Sequence, residues 1–485
     1  MSFAVNWGQD DMLTIADAIE AITTFRPQAS MVITEAVIDS RQVIPGSLFV
    51  AIPGERADGH EFIPEAFKKG ASFALTQRDV EVSFRTLDLR AVTSADSFSG
   101  QDFTTPLCLR VDNTVTALQQ IARYWRRKLD LRVIGITGSV GKSTTKELVA
   151  EVLGTRYRTL KSPGNLNNEI GLPLTMLRLS SGYQRAVFEM GFYVPGEIAF
   201  LCDIALPQVG IVTNIGTVHA ERAGSQEAIA RGKAELVQAL PPAPEGIAIL
   251  NFDDPWVRRM EEKTKARVFF YGLSQEANLW ADNVVGLGLE GIRFRLHYQG
   301  ETLHVRIPLI GRHSVHTALR AAAIGLTEGM NWQEILEGLN QGHTQLRLAA
   351  VRSQTGALLL DDTYNASPES MLAALNLLDE LGGRKIAVLG DMLELGPYER
   401  NGHEMVGLRA AQVADILLTL GERAHTFAEA AHRAGMKRTS IFEFDQLDPL
   451  VEWLRSNLTK ADTVLIKGSH GLRMDRITNL LEVRS

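Results

Sequence analysis

The sequence predicts an α/β protein of three domains, and three observations carry that prediction. The chain has 485 residues, too many for one ordinary core. From about residue 111 to 342, short apolar runs alternate with helical stretches, the pattern of a parallel sheet covered on both faces. Beyond residue 342 the alternation begins again as a second, Rossmann-like doubly wound unit, whereas residues 1–110 hold only short strand-like runs. These changes set boundaries at 1–110, 111–342 and 343–485.

Composition narrows the class. A hydrophobic content of 45% and a charged content of 22% are those of a globular protein. A net charge of -7, with no basic stripe, argues against a nucleic-acid partner. Cys108 and Cys202 are far apart and lack metal-ligand spacing, so neither a disulfide scaffold nor a zinc site is predicted, and a reducing cytoplasm is the expected setting. Asp10, Asp11, Asp17 and Glu20 interrupt the start of the chain, which does not read as a signal peptide. No run is long enough for a membrane span.

In the first domain, strands are predicted at 47–52 and 72–76, with a helix at 62–69 between them. Asp39-Ser40-Arg41 forms a polar corner ahead of the first strand. An arginine beside a serine there can hold a diphosphate by charge-assisted hydrogen bonds, and equally suits a solvated turn. The central domain should contribute strands at 132–137, 186–190, 208–213, 246–250 and 267–271. Residues 278–309 break that rhythm: Ile292-Arg293-Phe294-Arg295-Leu296-His297 alternates apolar and polar, as an antiparallel strand buried on one face should. A helix follows at 313–328. The last domain should hold strands at 357–360, 385–389, 415–420 and 463–467, with helices at 367–381, 402–413 and 448–458. Asp448 is the expected N-cap of the last, and Pro449 its first helical residue.

The chain is organised around residues 133–145. A short apolar strand runs into Thr137-Gly138-Ser139-Val140-Gly141-Lys142-Ser143-Thr144, and a helix with apolar positions at Leu148, Val149, Val152 and Leu153 follows. Strand, glycine loop and helix make a phosphate cradle: backbone N–H groups and the helix dipole face the phosphates, Lys142 supplies a point charge, and the Ser143 hydroxyl can ligate Mg²⁺. The strict pattern has a further glycine where this chain has Ile136. Other candidates fall at carboxyl ends of strands, where ligands of such sheets sit. They are Glu189, Asn214 with His219, and Asn251 with Asp253 and Asp254. Glu189 is a hard oxygen ligand suited to Mg²⁺, and a neutral His219 can complete a metal shell or orient a water. Lys233 lies in a helix predicted at 225–240. Each of these three residues also suits an ordinary surface position.

Taken in order, several motifs resemble those of the Mur ligases, the ATP-dependent amide-forming enzymes that build the peptidoglycan stem peptide. They are the loop at 137–144, Gly164-Asn165-Leu166-Asn167-Asn168-Glu169-Ile170-Gly171, Glu189-Met190-Gly191, Thr213-Asn214-Ile215-Gly216-x-x-His219 and Arg231-Gly232-Lys233-Ala234-Glu235. The resemblance covers essentially the whole chain. Asp361-Asp362-Thr363-Tyr364-Asn365-Ala366-Ser367-Pro368 and Leu389-Gly390-Asp391-Met392-Leu393-Glu394-Leu395-Gly396 are similar to the branch that adds D-alanyl-D-alanine to UDP-N-acetylmuramoyl-tripeptide. The branch adding the third residue ranks next, then the folylpolyglutamate synthases, which lack this amino-terminal domain. A non-catalytic nucleotide-binding scaffold is the alternative outside the enzymes.

The resemblance implies a UDP-substrate domain, a central ATPase domain and a Rossmann-like carboxyl-terminal domain that closes over the nucleotide. It implies ATP and two Mg²⁺ ions. Lys142 would meet the β and γ phosphates, and Ser143 the first Mg²⁺. Glu189, His219 and Lys233, the last as a carbamate, would serve the second. Arg347 would reach the γ-phosphate, and Asp362 and Asn365 the nucleotide. Ser40 and Arg41 would hold the uridine end of the donor, with Asn168 among the substrate contacts. Lys467, Ser469 and Asp391 are candidates for the D-alanyl-D-alanine lip. A monomer is expected. Gly311-Arg312-His313-Ser314-Val315-His316-Thr317 departs from the family pattern Gly-x-His-Asn-x-x-Asn at both asparagines, which removes two paired donor-acceptor groups.

Overall fold

The structure is a computed structural model, and it describes residues 12–54, 57–80, 84–341 and 349–482. The chain forms two compact units. One takes in the chain up to Gly135 together with Tyr157–Gly191 and Glu197–Val209; the other takes in Ile136–Arg156, Phe192–Gly196 and the chain from Gly210 onward.

The first sheet contains β1 (Ala36–Val37), β2 (Leu48–Val50), β3 (Phe73–Thr76), β4 (Arg85–Asp88) and β5 (Leu107–Arg110), ordered β1-β2-β3-β5-β4. Every neighbouring pair is parallel. Phe49, Ala74 and Cys108 align across three strands and bury Ile63 and Ala66 of the helix Ile63–Lys68. That helix starts later than its pattern suggests, because the Asp58 side chain accepts the His60 N–H at 3.0 Å and folds Gly59–Phe62 into a 3₁₀ turn. Two of the five strands were legible. β1 has only two residues and β4 is half exposed, so neither shows a periodicity.

The second sheet contains β6 (Arg132–Thr137), β7 (Thr159–Lys161), β8 (Arg185–Glu189), β9 (Val209–Val212), β10 (Ile247–Asn251), β11 (Arg267–Gly272), β12 (Leu279–Gly286), β13 (Ile292–Tyr298) and β14 (Glu301–Ile307). Its order is β14-β13-β12-β11-β10-β9-β6-β8-β7. The five predicted parallel strands appear within one residue of their expected ends. β13 runs antiparallel to both neighbours and buries Ile292, Phe294 and Leu296 while Arg293 stays exposed, as its alternation predicts.

The third sheet contains β15 (Ala349–Arg352), β16 (Leu358–Asp361), β17 (Arg384–Gly390), β18 (Ile416–Leu420), β19 (Ile441–Phe444) and β20 (Asp462–Lys467), ordered β15-β16-β20-β17-β18-β19. Only the edge strand β15 is antiparallel to its neighbour. Successive residues point to opposite faces, so Leu360, Leu389, Leu417 and Leu465 build one core while Leu359, Val388, Leu418 and Val464 build the other. This is the doubly wound arrangement the sequence predicts. The helix Pro368–Glu380 opens as expected, with the Ser367 hydroxyl accepting the Ser370 N–H at 3.2 Å. Asp448 is not an N-cap. Helix Leu447–Asn457 begins one residue earlier, with Gln446 at the cap, so Asp448 and Pro449 lie within the first turn, where an absent proline N–H costs nothing. Among the described residues, no helix is long and apolar enough to cross a membrane.

Candidate active site

β6 delivers Thr137 to the loop, and helix Lys142–Gly154 begins directly after it. Two glycines make the turn possible. Gly138 has φ +144°, and a Cβ there would lie 1.8 Å from Thr213 Oγ1. Gly141, the helix N-cap, has φ +84°. The loop is braced from β9 and the residues after it. Ser139 N–H donates to Asn214 O at 3.0 Å, Val140 N–H to Asn214 Oδ1 at 2.9 Å, Thr213 Oγ1 to Val140 O at 2.7 Å, and Gly216 N–H to Ser139 Oγ at 2.8 Å. Ser143 and Thr144 occupy the first helical turn, half-buried, beside the helix N-terminus. The strand, glycine loop and helix expected around residues 137–144 are therefore present.

Two lysines converge on one carbonyl of this loop. Lys142 Nζ donates to Gly138 O at 2.8 Å and to Ser139 O at 3.3 Å, and Lys233 Nζ donates to the same Gly138 O at 3.0 Å. Lys233 sits in helix Gln226–Gln238, is 1% exposed, and lies 4.7 Å over the Phe192 ring. Burial first, and the cation at Lys142 second, push its pKa well below the ordinary lysine value. The helix can approach closely because residue 232 is glycine: a Cβ there would lie 2.0 Å from Phe192.

His219 follows β9 with φ +69° and starts the short helix Ala220–Ala223. Its Nδ1 lies 2.8 Å from Glu394 Oε2, and the Tyr193 ring meets it edge-on at 4.9 Å. Desolvation, with Lys142 and Lys233 adding to it, lowers its pKa to about 4 against the opposing pull of Glu394, so the ring is neutral near pH 7. In the other unit, Glu189 ends β8, is 2% exposed, and accepts Asn167 Nδ2 at 2.9 Å. Asn168 is occupied locally, its Oδ1 accepting the Gly171 N–H at 2.8 Å at the start of helix Gly171–Met176.

At the carboxyl edge of the third sheet, Lys467 Nζ donates to Asp362 Oδ2 at 2.6 Å and to Asn365 O at 2.9 Å. Lys467 is 2% exposed and so holds the 362–365 turn from beneath instead of lining a lip. Ser469 and Asp391 are also spent inward. Ser469 Oγ accepts the Leu393 N–H at 2.9 Å, and Asp391 accepts the Ala424 N–H at 2.7 Å, burial raising its pKa. In the first unit, Ser40 is buried in a 3₁₀ turn, while Arg41 is exposed and paired with Asp39 at 2.7 Å. Arg347 lies outside the described residues.

The departure at residues 314 and 317 is taken up inside the protein. Ser314 Oγ donates to Ile310 O at 2.7 Å, and Thr317 Oγ1 accepts Arg320 Nη2 at 2.8 Å. The residues that sequence reasoning left without a role are Asn167, Glu394 and Arg320. Asn167 and Glu394 stood inside quoted motifs, but a partner 22 or 175 positions away leaves no local trace.

Three family models match the chain in order: "Mur ligase family, catalytic domain" over residues 32–126, "Mur ligase middle domain" over 136–325, and "Mur ligase, glutamate ligase domain" over 346–470. A Bacillus subtilis (strain 168) protein named UDP-N-acetylmuramoyl-tripeptide--D-alanyl-D-alanine ligase is 34% identical over 96% of this chain and 96% of its own. Among solved structures, MurF from Acinetobacter baumannii is similar with a TM-score of 0.82 and 29% identity, covering 97% of this chain and 99% of that one. MurF ligase from Thermotoga maritima in complex with ADP has a TM-score of 0.76 and 27% identity over 95% and 97%. With the three family models in sequence and a relative above 30% identity along nearly the full length of both chains, this protein belongs to the Mur ligase family.

Proposed function

We infer that this chain is an ATP-dependent ligase that joins D-alanyl-D-alanine to UDP-N-acetylmuramoyl-tripeptide in peptidoglycan precursor synthesis. The observation that carries the inference is the near full-length likeness to a ligase of that name, in a chain whose phosphate loop is built and braced. The sequence has only Cys108 and Cys202, far apart and without metal-ligand spacing, which favours a reducing cytoplasm, where we place the protein as a monomer.

Residues 137–144 cradle the ATP phosphates, with the Lys142 ammonium on the β and γ oxygens in place of its present contacts to the loop carbonyls. Asp362 and Asn365, fixed by Lys467, meet the nucleotide from the third sheet, and Arg347 the γ-phosphate. Ser40 and Arg41 hold the uridine end of the donor, with Asn168 near its peptide.

Among the described residues no three His, Cys, Asp or Glu side chains converge on a ready-made metal site. Mg²⁺ at a nucleotide takes much of its shell from phosphate oxygens and waters. The donors also fit: Ser143 offers a hydroxyl for one ion, and Glu189 a carboxylate, His219 a neutral ring and Lys233 an amine for the second. An ammonium would repel Mg²⁺, but a neutral buried amine can add CO₂ and lose a proton to become an anionic carbamate. The depressed pKa of Lys233 supports that modification. When bound, Mg²⁺ neutralises charge on the phosphates.

The donor carboxylate attacks the γ-phosphorus and ADP leaves, giving an acyl phosphate, with Lys142 and the loop amides stabilising the charge that develops. The dipeptide amine, after losing its ammonium proton, attacks the acyl carbon and inorganic phosphate departs. Phosphate release with ATP, Mg²⁺ and UDP-N-acetylmuramoyl-tripeptide tests the assignment. Release should require D-alanyl-D-alanine. Turnover with a dipeptide donor and a diamino acid instead would move the chain to the third-residue branch.

A further inference from the structure

Glu394 has no part in the chemistry above, yet its side chain holds one of the residues assigned to the metal. Its carboxylate can only accept, so the 2.8 Å contact to His219 Nδ1 puts the ring proton on Nδ1 and leaves the Nε2 lone pair available. Tyr193, edge-on at 4.9 Å, restricts the tilt of the same ring. Both members of the pair hold left-handed backbone, His219 at φ +69° and Glu394 at φ +63°, a conformation non-glycine residues keep only where their surroundings impose it. The backbones meet as well. Glu221 N–H donates to Glu394 O at 3.4 Å, and Tyr398 OH accepts the Gln226 N–H at 3.4 Å. Gly396 lies so near that a Cβ there would meet Glu221 Cα at 2.8 Å. Thus the segment after β17 docks on the loop after β9 through residues 394–398, and the side chain at the head of that contact is the partner of His219.

We propose that Glu394 is a positioning residue that fixes the tautomer and aim of His219, so that the metal site is complete only while residues 394–398 are docked on the loop carrying His219. Carboxylates commonly hold metal-binding imidazoles in this way, and losing one typically weakens metal affinity ten- to a hundredfold. The proposal rests on the reading of His219 as a metal ligand.

Mn²⁺ binding to the full chain, saturated with a non-hydrolysable ATP analogue and followed by the EPR signal of free Mn²⁺, separates the two. Glu394→Ala should weaken one of two Mn²⁺ ions tenfold or more. Glu394→Gln, whose amide oxygen still accepts from Nδ1–H, should recover binding to within threefold. In the ¹⁵N-labelled wild type, the histidine resonances lost in His219→Gln should show the Nδ1-protonated tautomer, a signature that needs no folded Glu394 variant. A loss below tenfold in Glu394→Ala, a Gln variant as weak as the Ala variant, or an Nε2-protonated His219 overturns the proposal. If His219→Gln itself leaves Mn²⁺ binding unchanged, the ligand reading fails and the proposal with it. A defect in His219→Gln beside an intact Glu394→Ala removes the positioning role alone.

Discussion

Replacing Lys233 by methionine removes a titratable amine from a fully buried position while keeping a side chain of similar length against Phe192. Burial and Lys142 hold the folded pKa of Lys233 well below the ordinary value. The unfolded chain, with a lysine pKa of about 10.4, therefore carries one proton more than the folded chain over the interval between the two values. Folding releases that proton, so stability rises with pH across the interval, by about 1.4 kcal/mol per pH unit. From pH 7.5 to 9.5 the wild type should gain as much as roughly 3 kcal/mol relative to Lys233→Met, which has no amine to titrate. Urea unfolding of both proteins in CO₂-free buffer across that range reads the difference directly. Equal slopes would refute a neutral, buried Lys233. In turnover, Lys233→Ala should be inactive and partly rescued by formate or acetate, which restore an oxygen donor in the space left. Full activity without added carboxylate would remove Lys233 from the site.

Gly138→Ala forces a side chain into left-handed backbone and onto Thr213, so it should cost at least ~1–3 kcal/mol by overpacking and weaken ADP binding; unchanged unfolding and unchanged binding would contradict the loop geometry. Asn167→Ala strips a donor from the buried Glu189 carboxylate and should destabilise the chain by about 1–3 kcal/mol in urea, with a null effect counting against that contact. Ser367→Ala removes a helix cap and should cost about 0.5–2 kcal/mol without changing the KM for ATP, since the hydroxyl accepts the Ser370 N–H at the start of its own helix.

How much was legible follows from the range of each interaction. The strand Arg132–Thr137, the helix opening at Lys142 and the one-sided burial of β13 are written in neighbouring residues, and all appear where their patterns place them. The N-cap of the last long helix was misassigned because Asp448-Pro449 suits a helix start locally, while packing of Leu450, Val451 and Leu454 decides the register. Asp391 and Ser469 are candidates for a substrate lip in the sequence, but in the fold Asp391 Oδ1 and Ser469 Oγ accept backbone N–H groups. Asn167 with Glu189, and His219 with Glu394, are pairings that only the fold makes.

The convergence of Lys142 and Lys233 on Gly138 O explains why two residues of one type can differ in charge. Two ammonium groups sharing a carbonyl repel each other, and the cheaper proton to lose is on the group with less access to water. Lys142 is half-buried in the first helical turn, whereas Lys233 is 1% exposed and packed on an aromatic ring. Burial therefore selects Lys233 as the neutral amine, the form able to take up CO₂, and leaves the cation at Lys142 in the first turn of the helix that follows the glycine loop. A Lys142→Met chain tests the coupling, because removing that cation takes away the second cause of the Lys233 shift. Its Lys233 pKa should move up toward the ordinary lysine value, and a midpoint read by amine-selective labelling that stayed put would leave burial as the sole cause.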